Sequence, residues 1–268
     1  MYNIDTHHQL TAEIFNRYSD KMLVDMKSSK YSQSHRALFY NQKKIDSFLE
    51  ILTTFQNEKD YYLSQAITRV VFEHFLVGHY IWTKTRVEKN DVCGEEYYMH
   101  YKVSEFFKRE NYELRVEGIE KNIQKNNNIE NIKIKYPEFL ELEQKDLEQI
   151  HSIAKQFDVR NLLDYIVNKI PDNDFFKESH RMFLHFLREY NNLSSFIHGG
   201  PMAEDESYHD EPQIDKAKKI KENIQWSKIA SRLIKEHIIL LHLEERKEYL
   251  EIFEPIRSII ETNKKTHS

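Results

Sequence analysis

The stretch Leu63–Trp82, LSQAITRVVFEHFLVGHYIW, decides the fold. Its apolar residues lie on nearly every side at three- and four-residue spacing, the pattern of a helix enclosed by other helices. Arg69 and Glu73 stand four apart within it, on a face continued by Leu76 and Tyr80. A lone charge among apolar side chains would be costly, whereas a paired and hydrogen-bonded one is tolerated, so the two are expected to form a buried or half-buried ion pair. Gly78, isolated in the same helical pattern, predicts close packing by a neighbouring helix.

Outward from this segment the same periodicity recurs along the chain. It predicts helices near 8–28, 33–57, 59–88, 94–126, 137–157, 159–169, 173–198, 214–243 and 246–263. The chain has 268 residues, with 40% hydrophobic and 13% aromatic content but only 5 Gly and 5 Pro. That suits a sizeable core and few turns, hence an all-α helical bundle of about eight or nine helices. A single domain is expected over 1–268, with a peripheral helical arm at 94–136. Within that arm the alternation of Ile132 to Tyr136 allows one short strand or a surface connection. Gly199-Gly200-Pro201 reads as a helix stop and opens a long loop to Pro212. The Lys- and Glu-rich faces of 94–125 and 213–250 read as solvated surfaces.

A net charge of −5 gives no global positive field, although local basic patches are compatible with it. The single Cys93 excludes an internal disulfide framework and a cysteine zinc cluster. The opening residues MYNIDTHHQL lack a basic stretch followed by an apolar core, so no secretory signal is expected. The longest apolar stretch, Ile67–Trp82, is too polar to span a bilayer. The default is therefore a cytoplasmic protein without membrane contact.

The second informative segment is FFKESHRMFLHFLREYNNLSSFIHGG, residues 175–200. Phe176, Phe183, Leu187, Tyr190 and Ile197 form a core stripe, and His180, Leu184, Leu187, Asn191, Ser194 and His198 an adjoining, more polar strip. His198 closes the helix immediately before Gly199 and Gly200, where its ring would face whatever approaches the following loop.

The R-x-x-x-E of Arg69 and Glu73, followed later by Y-x-x-L-S-x-x-x-H-G at Tyr190, Leu193, Ser194, His198 and Gly199, resembles a bacterial helical family of unknown function allied to the HEPN-like and abortive-infection proteins. The resemblance spans about 130 residues and implies a bundle in which the Arg-Glu helix faces the Ser-His helix. HEPN ribonucleases use an arginine and a histidine four to six residues apart, commonly across a dimer. The resemblance thus implies a defence or stress protein that engages RNA, with metal-independent endoribonuclease activity and a homodimer as expectations. His198 would be the general acid or base, Arg69 the phosphate contact or the group positioning the site, Glu73 the group orienting Arg69, and Ser194 or Asn191 the group holding the histidine. Two R-x-x-x-x-H matches occur, Arg69 to His74 and Arg232 to His237. Roughly two are expected by chance at this composition, so the spacing alone assigns nothing.

Other chemistries have weaker support. Glu204, Asp205, Glu206, His209, Asp210 and Glu211, with His198, could ligate a divalent metal, but no paired ligands on one helix accompany them. Ser194 and His198 lack the glycine-framed elbow of an acyl-transfer nucleophile. No phosphate-binding glycine loop is present, and neither a cofactor nor a resident metal is expected. The alternative function is a non-catalytic helical module for a protein or nucleotide partner, in which the Arg-Glu and Ser-His residues are a structural network.

Overall fold

The computed structural model describes residues 4–120, 143–169, 174–198, 201, 203 and 215–265. Among these no strand forms, and the expected all-α bundle is found. Three helices make the centre: α2 (Ser32–Thr53), α3 (Tyr61–Glu88) and, late in the chain, α10 (Lys216–Leu243), packed pairwise against one another. The first helix, α1 (Ile4–Met26), lies against α10. On α3 the residues Val71, Phe72 and Phe75 to Thr83 are all buried, as the near-continuous apolar sequence requires. Gly78 sits where the three central helices meet: a Cβ there would lie 2.5 Å from Ile234 Cδ1 and 3.6 Å from Asn41 Cβ.

Local chemistry sets the ends. The Asp91 carboxylate accepts from Gln33 N (2.7 Å) and Ser34 N (2.8 Å), capping α2 from a distant part of the chain. Asp215 accepts from Lys218 N at 2.8 Å and starts α10. Lys89, at φ 54, ends α3 in the left-handed conformation.

Around the centre lie α4 (Val92–Glu96), a π-helical turn at Tyr97–Tyr101, α5 (Lys102–Glu120), α6 (Gln144–Ala154) and α7 (Val159–Lys169). The single helix expected over 94–126 is therefore interrupted by the π turn. Then come α8 (Asp174–Asn192), α9 (Ser194–His198) and, after α10, α11 (Tyr249–Lys265). The strand considered at 132–136 and the acidic segment 204–211 lie outside the described residues.

Three expectations are corrected. The helix expected over 173–198 is broken at Leu193, which turns α9 out of the register of α8. Ile197 consequently lies on the surface, 40% exposed, and Phe196 is buried in the core. The loop expected after His198 is helical at Pro201 and Ala203, with Ala203 buried, because proline is tolerated in a first helical turn. The polar residues of α10 are not all solvated: Arg232, Lys235, Glu236 and His237 are buried, because partners from α1, α2 and α3 meet them.

Candidate functional site

α8 and α9 pack along α3, so the two informative segments do meet. The Arg69 guanidinium donates to Glu73 Oε2 at 2.5 Å and to the Tyr190 hydroxyl at 2.5 Å, with its Cζ 4.3 Å from the Tyr190 ring centroid. One tyrosine therefore supplies both an acceptor and a π face to the cation. The junction is half open: the Arg69 side chain is 13% exposed and that of Glu73 38%. Burial raises the Tyr190 phenol, and the nearby Glu73 charge adds to it, so the hydroxyl stays protonated at neutral pH.

The remaining expected residues do not join this cluster. Among the described residues no hydrogen bond connects Ser194, Asn191 or His198 to Arg69 or Glu73. Ser194 is half-buried, and Asn191 and His198 are exposed. Phe196 docks α9 instead, against Tyr61 and Tyr62 at the start of α3, and the Tyr62 hydroxyl donates to the Phe196 carbonyl at 2.6 Å. Contacts at Arg69 and at Tyr62 are seven residues apart along α3, so Phe196 docks α9 roughly 10 Å along that helix from the arginine cluster. Tyr190, assigned by its spacing to the core stripe, is thus the true partner of Arg69. Its place in the Y-x-x-L-S-x-x-x-H-G motif was the available signal.

The neighbouring His74 turns the other way. Its Nδ1 lies 3.0 Å from Asn41 Oδ1, and burial lowers the imidazole from 6.5 to about 4. Arg69 and His74, five residues apart, therefore face different partners and do not form one reactive pair.

A second polar cluster lies inside α10, and the sequence reading missed it. Arg232 hydrogen-bonds the His7 ring, and His7 Nε2 is 3.1 Å from Glu236 Oε1. Lys235 Nζ is 2.7 Å from both Asp46 oxygens and 2.7 Å from Ser231 Oγ, which itself donates to Asp46 Oδ1 at 2.6 Å. Burial lowers the Lys235 ammonium, although Asp46 opposes this. The Lys235 group forms the wall of an open cleft of about 280 Å³ between α1, α2 and α10. His237 Nε2 lies 2.9 Å from His79 Nδ1, and its ring stacks on Trp82 at 4.0 Å and 5°. Burial, then the neighbouring His79, holds His237 well below the usual histidine range. The available signal was the four-residue repeat of opposite or bondable groups: Ser231 with Lys235, and Arg232 with Glu236.

Among the described residues no group of three or more His, Cys, Asp or Glu is arranged to hold a metal, and no helix is long and apolar enough to cross a membrane. No family model, curated protein or solved structure matches the chain.

Proposed function

We propose that this chain is an HEPN-like bacterial defence or stress protein that engages RNA along the junction of α3 with α8 and α9, with metal-independent strand cleavage as its chemical step. The observation that carries the reading is the fixed Arg69, aimed by Glu73 and Tyr190 at a half-open junction. A guanidinium held in this way is a preorganised phosphate contact. In the cleavage step the RNA 2′-oxygen attacks the adjacent phosphorus and the P–O5′ bond breaks. His198, exposed at the end of α9, takes the 2′ proton or returns one to the 5′ oxygen, and solvent water makes the other proton transfer. Asn191 and Ser194 lie between His198 and Tyr190 in sequence and would position the strand or the histidine. Because α9 docks on α3 roughly 10 Å from Arg69, His198 and Arg69 would serve different phosphates within one copy. A homodimer, which the resemblance implies, would let the arginine of one copy meet the histidine of the other.

One observation favours a second reading. Each terminal nitrogen of Arg69 already donates to a partner inside the chain, as expected of a helix-packing clamp in a non-catalytic module that binds a protein or nucleotide partner. Expression of wild type and His198→Ala, followed by growth measurement and cleavage of total RNA in the presence of a chelator, separates the two. Cleavage by wild type that disappears in the variant is the expected result. Unchanged cleavage in the variant would remove His198 from the chemistry, and a folded wild type without RNA affinity would leave the module reading.

A further inference from the structure

An RNA-engaging protein of net charge −5 needs a local surface that holds a strand, and α2 carries one. Arg36, Tyr40 and Lys44 recur every fourth residue on α2, so they share one face, and all three are exposed, as is Lys43. From Ser32 to Ile45 there is no acidic residue. Tyr40 is 45% exposed, and Lys44 Nζ lies 5.6 Å from its centroid. The Arg36 guanidinium lies 4.4 Å over the ring of Tyr98, in the π turn that packs against α2. Tyr40 meets the ring of His74, on α3, edge-on at 6.4 Å.

A single exposed tyrosine is ordinary, and a lysine near a ring is common. Here an exposed aromatic ring, three exposed cations and an acid-free stretch coincide on one helix. Cations beside an aromatic platform are how proteins grip unpaired strands: the charges follow the phosphates and the ring takes a base face. A duplex keeps its base faces stacked inside and offers the ring nothing.

We propose that the Arg36–Tyr40–Lys44 face of α2 is a docking platform for single-stranded RNA, on which one base stacks on Tyr40 while Arg36, Lys43 and Lys44 contact phosphates. The platform rests on the RNA reading above, and its test separates the two.

The probe is a fluorescein-labelled twelve-nucleotide oligouridylate, read by anisotropy with the full chain in a His198→Ala background so that no strand is consumed. Tyr40→Ala is expected to weaken binding by about tenfold, the size of one lost base–aromatic stack, and Tyr40→Phe, which keeps the ring, to stay within about twofold of the parent. Replacing Lys43 and Lys44 together by alanine should reduce the steepness of log affinity against log salt by about 1.4, or about 0.7 per lost cation. All these side chains are exposed, and an unchanged melting curve verifies that each variant folds. If the parent binds the probe and Tyr40→Ala binds equally well, or Tyr40→Phe falls as far as Tyr40→Ala, the platform is wrong and the RNA reading stands. If the parent binds no RNA at any salt, the RNA reading fails and takes the platform with it. Tighter binding to duplex RNA or to single-stranded DNA than to the probe also overturns the platform.

Discussion

The hexapeptides RVVFEH (Arg69–His74) and RLIKEH (Arg232–His237) set the same residue types at the same spacing on two helices that pack against each other, α3 and α10. In both, arginine and glutamate are four apart and share a helix face, and the histidine that follows is carried to another. Their surroundings differ. On α3 the glutamate side chain is 38% exposed and the third member is the neutral phenol of Tyr190. On α10 the glutamate side chain is 8% exposed and the third member is the His7 ring from α1. Spacing alone therefore creates the pair, and the helix packed against it decides whether the pair is enclosed or left at an open junction. Only the α3 copy has a carboxylate that solvent, and hence a substrate strand, can reach.

The contrast breaks most directly by cutting each copy at its carboxylate. Removing one member of an enclosed pair strands the other without water, so Glu236→Ala is expected to cost about 3–5 kcal/mol. Glu73→Ala leaves Arg69 its tyrosine and partial solvent, and should cost about 1 kcal/mol or less. Urea unfolding at neutral pH measures both. Equal losses would mean that the two copies are energetically alike and that the open junction has no special standing.

The same contrast explains what could be read in advance. The helices were legible because apolar spacing at three and four residues persists in every one, and Gly78 announced a close helix contact that Ile234 makes. Arg69 with Glu73 was legible because both partners sit on one helix. The break at Leu193 was not, since the apolar spacing continues across it and only the packing of Phe196 on Tyr61 and Tyr62 selects the new register. The enclosed α10 cluster was hidden for a related reason. Lysine, arginine and glutamate four apart look the same on a solvated face as on a buried one, and the partners His7 and Asp46 lie 225 and 189 residues away in sequence.

Acid should sharpen the comparison through the histidines. Burial holds His74 and His242 at about 4, against an ordinary value of 6.5, and keeps His35 and His237 well below it. His35 and His242 are themselves stacked face to face at 3.8 Å, so protonating one opposes protonating the other. A histidine kept neutral in the folded state takes up its proton more readily when unfolded. Its contribution is therefore fully present above about 6.5 and is lost as pH falls from there toward about 4. A shift of that size is worth on the order of 3 kcal/mol per histidine. Unfolding free energies at pH 7.5, 5.5 and 4.5 should fall steadily, and His74→Gln should flatten the decline by about one proton's share. A stability that stays level over this range would show that the imidazoles are not held neutral.

The smallest expected effect discriminates most sharply between the two readings of the α3 junction. Tyr190→Phe keeps the ring 4.3 Å from the Arg69 guanidinium and removes only the hydroxyl that accepts its hydrogen bond. Because the junction is half open, water replaces part of the lost bond, and the stability cost should be about 1 kcal/mol. The guanidinium, however, loses the contact that fixes one of its two arms, while Glu73 still holds the other. If Arg69 is a preorganised phosphate ligand, RNA affinity should fall severalfold although the fold is barely disturbed, because the order formerly built into the site must now be imposed by the strand. If the cluster is only a clamp between α3 and α8, the small loss of stability should appear with no change in RNA affinity. The ratio of the two effects, rather than the size of either, assigns the arginine to substrate or to scaffold.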